Sequence, residues 1–191
     1  MKEIIVAMTG ASGQLYAVRL LEFLQEFAGA RVHLILSEWA QKTLELETDY
    51  DLKYVLSLAD YVYRIDDQAA AISSGSFPRS GMVVVPCSIK TLSAIANSYT
   101  VNLIARAADV TLKERKRLIL VVRETPLHQG HIHLLERAGA AGAIIAPPVP
   151  AFYNRPQTIM EMIDHSVYRW LDLLDIKLPG AKRWTGLNKL L

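Results

Sequence analysis

Short β-branched runs alternate with longer stretches of helical period along the chain, the pattern left by parallel βαβ units. Apolar runs at 4–8, 82–85, 118–122 and 143–146 read as buried strands, because a parallel sheet is covered on both faces, and 32–36, interrupted by His33, reads as the second strand. The stretch 61–65 mixes aromatic, aliphatic and charged residues, which suits an edge strand with one wet face. Between these runs, Ala17, Leu20, Leu21, Leu24 and Ala28 recur at three- and four-residue spacing, so 14–28 reads as a helix with Arg19, Glu22 and Glu26 on its wet side. Ser37 is a good N-cap for a helix to about residue 46. Further helical stretches are expected at 52–58, 88–96, 102–108, 131–137 and 158–175. The expected fold is therefore α/β, a doubly wound parallel sheet between two helical layers, a Rossmann-type three-layer sandwich.

A chain of 191 residues with 51% hydrophobic and 21% charged positions can bury a sizeable core, which excludes wholesale disorder. No linker or repeat interrupts the series, so 1–191 reads as one domain with a peripheral C-terminal arm at 179–191. A formal charge of +2 is too small for a chain devoted to a nucleic-acid backbone or an anionic membrane. The apolar tract 138–152 carries Pro147, Pro148 and Pro150 and is too short to cross a bilayer. Cys87 is the single cysteine, and the opening MKEIIVAMTG lacks the basic-then-apolar layout of a signal peptide, so a soluble protein of the reducing cytoplasm is expected.

In such sheets ligands bind at the carboxyl ends of strands, so chemistry is sought in the strand-to-helix loops. Thr9-Gly10-Ala11-Ser12-Gly13 follows the first strand and opens a helix. Its glycines allow close backbone approach and its helix start offers free amides, yet the spacing is neither a dinucleotide fingerprint nor a phosphate loop ending in Gly-Lys-Ser/Thr. Ser37 and Ser88-Ile89-Lys90-Thr91 place hydroxyls after two more strands, where they fit a phosphate or simply cap helices. Cys87 suits a small core residue better than a nucleophile. Arg106, Lys113, Arg123 and Arg169, with Glu124, form a second set able to bind a phosphate and move its proton, whereas Arg115 and Lys116 read as solvated. His131 and His133 point to different sides of a helix beside His128, and Asp66-Asp67 continues into Gln68 and alanines, so no metal set is expected. Aromatic residues at 153, 168, 170 and 184 suit either core packing or the wall of a flat ligand.

Taken together, Met8-Thr9-Gly10-Ala11-Ser12-Gly13, Glu47-Thr48-Asp49, Ser74-Gly75-Ser76, Pro86-Cys87-Ser88-x-Lys90-Thr91-Leu92-Ser93, the stretch from Asn102 to Val110, Leu112-Lys113-Glu114-Arg115, Arg123-Glu124-x-Pro126 and Phe152-Tyr153-x-x-Pro156 resemble the flavin prenyltransferases. The resemblance spans nearly the whole chain. It implies a flavodoxin-like sandwich built from trimers into a dodecamer with FMN between subunits, and a product, prenylated FMN, passed to decarboxylases of aromatic acids or ubiquinone precursors. By position it implies that Gly10, Ala11, Ser12, Ser37, Ser88, Ile89, Lys90, Thr91 and Arg123 hold FMN. Tyr153, Arg169, Lys113 and Glu124 would hold the phosphate of dimethylallyl monophosphate, with Arg106 reaching this pocket from a neighbouring subunit and Trp184 covering it from the arm. Ser12, Glu47 and Glu124 are the implied catalytic groups, Ser12 and Glu47 relaying or accepting protons. The implied step joins the allyl group to N5 and C6 of reduced flavin without a metal.

Two other readings fit the same fold. A flavin-dependent cysteine decarboxylase would need a Pro-x-Met-Asn clamp, and the corresponding Pro147-Pro148-Val149-Pro150-Ala151-Phe152-Tyr153-Asn154 lacks it. A noncatalytic FMN-binding accessory subunit would leave Lys113, Arg123, Glu124 and Arg169 idle.

Overall fold

The computed structural model describes residues 1–27, 29–184 and 186. Six strands, β1 (Lys2–Met8), β2 (Ala30–Leu36), β3 (Tyr61–Tyr63), β4 (Arg79–Cys87), β5 (Arg117–Val122) and β6 (Ile144–Ile145), form one sheet in the order β3-β2-β1-β4-β5-β6. Every pairing is parallel, so all carboxyl ends lie along one edge. Strand order reverses between β1 and β4, and this switch point places the loops after those strands side by side.

Side chains alternate across the sheet and build two cores. On one face Ile4, Val6, Met8, Leu34, Val83 and Val85 pack under α1 (Gln14–Glu26), α2 (Glu38–Glu47), α3 (Leu52–Ser57) and α7 (Ile159–Leu173). On the other, Ile5, Ala7, Met82, Val84, Leu118 and Leu120 pack under α4 (Ile89–Ala96), α5 (Leu103–Lys113) and α6 (Gln129–Ala140). The expected α/β sandwich is the observed one.

Several boundaries differ from the sequence reading. Helix α1 ends at Glu26, and Ala28 lies outside the described residues. Its expected wet side is covered in part, since Arg19 pairs with Glu22 and reaches Asp164 of α7 at 2.8 Å, while Glu26 is exposed. Helix α5 continues to Lys113, since Val110 and Thr111 remain buried along its inner face. Helix α6 starts at Gln129, capped by His128, whose ring accepts from the Gly130 amide. Strand β6 is two residues long and only partly buried. No helix among the described residues is long and apolar enough to cross a membrane.

Candidate active site

The switch point is built by polar residues that fold the β1–α1 loop onto β4. Thr9 is almost fully buried; its hydroxyl donates to the Pro86 carbonyl at 2.6 Å and accepts from the Ser88 amide at 2.9 Å. Gln14, fully buried, turns its amide back on the loop and donates to the carbonyls of Thr9 (2.7 Å) and Ala11 (2.8 Å). Gly10 is required by close packing, because a Cβ there would lie 2.4 Å from the Cβ of Trp39 on α2. Gly13 has φ of 104° and caps α1 without a side chain of its own.

Glu47 replaces that missing cap. Its Oε2 accepts from the amides of Gly13 (2.8 Å) and Gln14 (3.0 Å), so a carboxylate from the end of α2 sits on the positive start of α1. Partial desolvation pushes its pKa up. The Ser12 hydroxyl, the Gln14 and Gly13 amides and the nearby Arg123 charge outweigh that and leave it below the ordinary glutamate range. Glu47 is thus an ionised carboxylate beside a hydroxyl.

The remaining carboxyl-edge residues offer donors. Ser37 caps α2 by accepting from the Ala40 amide at 3.0 Å, and Ser88 caps α4 by accepting from Thr91 N while donating to Thr91 Oγ1 at 3.2 Å. Capping is therefore one use of both serines, and it leaves Lys90 and Arg123 exposed at the same edge. Because Glu47 already occupies the start of α1, a ligand phosphate fits the start of α4 better, where Ser88, Thr91, Lys90 and Arg123 supply hydroxyls and cations. Glu124 is exposed next to Arg123, its carboxylate accepting from the Thr125 amide at 3.0 Å. Cys87 is wholly buried and its thiol is pushed up to about 12 by desolvation, as befits a core residue.

A second cluster lies on the outer side of α7. Tyr153, His165, Arg169, Asp172, Arg183 and Trp184 line a pocket of about 260 Å³, and Arg183 clamps the arm to Asp172 at 2.6 Å. The Tyr153 hydroxyl lies 2.7 Å from His165 Nε2, and its ring meets Trp184 edge-on at 5.7 Å. Arg169 is exposed and, among the described residues, makes no ion pair, while its neighbours Val167 and Trp170 turn inward. Tyr168 and Trp170 are packing residues, Tyr168 stacking on Phe23 at 4.8 Å. The arm beyond 186, and Thr185, lie outside the described residues.

A third cluster occupies the opposite, amino edge of the sheet. Arg106 donates to the Ser73 carbonyl at 3.2 Å and pairs with Asp109, while Lys113 pairs with Glu114 above Gly75. One chain therefore does not bring Arg106 and Lys113 together with Arg123 and Glu124. Among the described residues no group of His, Cys, Asp or Glu gathers as a metal set; the His128 and His131 rings lie 3.7 Å apart, tilted by 39°. Sequence reasoning missed Gln14 and His165 as site-building residues, because their partners are set by loop and helix packing and carry no local motif.

The Flavoprotein family profile matches residues 1–168. The flavin prenyltransferase UbiX of Escherichia coli K12 is 53% identical over 188 residues, covering 97% of this chain and all of that one. Among solved structures, AnUbiX (PadA1) in complex with FMN and dimethylallyl pyrophosphate superposes with a TM-score of 0.94 at 49% identity, covering 97% of this chain and 98% of that one. A dodecameric FMN-dependent UbiX-like decarboxylase from E. coli O157:H7 gives 0.94 at 46% identity, covering 96% and 100%.

Proposed function

The chain belongs to the flavin prenyltransferases of the flavoprotein family, and from that premise we propose that it joins the dimethylallyl group of dimethylallyl monophosphate to reduced FMN. When bound, reduced flavin would supply N5 as the nucleophile that takes the allyl carbon as phosphate leaves, and C6 as the carbon that then closes a fourth ring on the transferred group. The observation that carries this reading is the ionised Glu47 held beside Ser12 at the switch point, a hydroxyl and carboxylate able to pass and accept the protons shed at the ring. Gly10 and Ala11 let the flavin approach the backbone. Ser37, Ser88, Ile89, Lys90, Thr91 and Arg123 hold its polar end.

In this reading the prenyl phosphate is held by fixed cations in place of a metal. Tyr153, Arg169 and Trp184 share one pocket and supply a guanidinium, a phenol and an aromatic wall. Arg106 and Lys113 lie at the far edge of their own chain, so they serve a site completed by another subunit. Glu124 exchanges the phosphate proton. The assembly is a homo-oligomer, a dodecamer built from trimers, located in the cytoplasm, and its product goes to a decarboxylase that uses prenylated FMN. The test is anaerobic incubation with reduced FMN and dimethylallyl monophosphate followed by mass measurement of the flavin. A gain of one dimethylallyl unit is expected, and unaltered FMN overturns the reading.

A further inference from the structure

The amino edge contains a guanidinium that no part of the proposed chemistry uses. Arg79, the first residue of β4, is 2% exposed. Its Nη1 donates to the Ala107 carbonyl at 3.2 Å and the Thr111 hydroxyl at 3.4 Å on α5, and its Nη2 donates to the Ser74 carbonyl. Among the described residues its Nε has no hydrogen-bond partner and no carboxylate pairs with it. Burial depresses its pKa, opposed by the Glu114 charge and aided by that of Arg106. A desolvated cation with only neutral partners is a poor way to stabilise a fold, since an apolar side chain of similar volume would remove the burial penalty.

What Arg79 does accomplish is geometric. It joins the loop that carries Ser74, Gly75 and Ser76 to the inner face of α5, the helix whose outer side carries Arg106 and Lys113. Arg106 donates to the carbonyl of Ser73, so two guanidiniums hold consecutive carbonyls of one loop. The Lys113–Glu114 pair rests over Gly75 so closely that a Cβ there would lie 2.7 Å from Lys113 Nζ. Phe77 braces the same loop, its ring 5.7 Å from the Arg79 guanidinium and edge-on to buried His33 at 4.9 Å. Displacing the loop moves the carbonyl that Arg106 uses and the floor under Lys113 together.

We propose that Arg79 is a positioning residue for the prenyl-phosphate cations, clamping the Ser73–Phe77 loop to α5 so that Arg106 and Lys113 are presented in one fixed geometry. The inference rests on the reading that Arg106 and Lys113 bind the donor phosphate. The experiment compares wild type, Arg79→Met and Arg79→Lys as intact oligomers. Arg79→Met removes the donors at similar volume. It should raise the KM for dimethylallyl monophosphate about tenfold, the scale of a lost charged hydrogen bond, with kcat and FMN affinity changed far less. Arg79→Lys keeps the charge but cannot span both partners, and should give a smaller rise. Amide exchange over 73–77 should quicken in Arg79→Met, a readout independent of turnover. A donor KM that stays at the wild-type value in either soluble variant, or FMN affinity that falls as much as donor affinity, overturns the proposal. If Arg79→Met does not fold, Arg79→Lys with faster exchange at 73–77 and raised donor KM still supports it, and Arg79→Lys with neither change rejects it. A wild type that makes no prenylated flavin rejects the functional reading alone, because the exchange comparison still judges the clamp.

Discussion

The two edges of the one sheet treat charge in opposite ways. At the carboxyl edge Glu47 meets backbone amides and a hydroxyl, while Lys90 and Arg123 remain exposed and, among the described residues, their side chains make no hydrogen bond. At the amino edge the charges are spent on the protein itself. Glu3 holds His33 Nε2 at 2.7 Å and Arg31 at 3.1 Å, the Tyr63 hydroxyl lies 2.9 Å from His33 Nδ1, and Arg79 is buried among carbonyls. The contrast explains why an edge rich in cations is not by itself a ligand site. Arg106 is partly exposed and Lys113 exposed, each beside its carboxylate partner at that edge, and in the proposed reading they serve a site completed by a second chain.

The largest test of this division is complementation between edges. Glu47→Gln removes the proposed proton acceptor and Lys113→Ala a proposed phosphate cation, and each alone should lower turnover by about 100-fold or more. Co-expressed, the two variants should assemble oligomers in which some sites draw an intact carboxyl edge from one chain and an intact Lys113 from the other. Partial recovery of prenylated flavin is expected. Mixed oligomers as inactive as both parents would mean that each site closes within one chain.

Arg169→Ala should come next in size. Loss of one charged hydrogen-bonding partner is worth about 1.5 to 3 kcal/mol, roughly a tenfold to hundredfold rise in the donor KM. Because Arg169 is exposed, its removal should leave stability within about 0.5 kcal/mol of wild type and FMN binding unchanged. Tyr153→Phe should weaken the donor in the same direction but less, since the Tyr153 hydroxyl already has His165 as a partner. Kinetics with FMN and donor varied separately decide the matter, and equal losses for both ligands would put the phosphate elsewhere.

The elements that could be read from sequence are those with a local cause. A continuous apolar run such as 82–85 cannot face water on either side, and Ser37 or Ser88 caps the helix that follows it with a bond spanning three residues. The carboxyl-edge loops were legible for the same reason, since Gly10 to Gly13 and Ser88 to Thr91 are contiguous. Contacts such as Glu47 to Gly13 and Arg79 to Ala107 join residues 34 and 28 positions apart. Nothing in the local pattern distinguishes Arg79 from an exposed arginine beside Pro78. The grouping of Lys113 and Arg106 with Arg123 came from residue type alone, and the helix between them carries those cations to the other end of the strands. The edge to which a helix end returns follows from topology, while the subunit that uses it does not follow from one chain.

The smallest effect separates two carboxylates that are both held below the ordinary range, one at each edge. Partial desolvation raises the pKa of Glu47, but the Ser12 hydroxyl, two amides at a helix start and Arg123 more than offset it. Glu114 is lowered chiefly by its exposed Lys113 partner. A carboxylate with a depressed folded pKa stabilises above its unfolded value of about 4.3, and that contribution disappears as pH falls through the folded value. The stability difference between wild type and Glu47→Gln, followed by urea unfolding from neutral pH downward, should therefore be largest at neutral pH and shrink below about pH 4. Added salt should change it little, because fixed amide dipoles supply much of the interaction. Glu114→Gln should shift the same curve less and lose its effect in high salt, as an exposed pair is screened. If the two variants shift the curve equally, or if salt abolishes the Glu47 effect, then the carboxyl-edge carboxylate is merely another surface charge and the contrast between the edges fails.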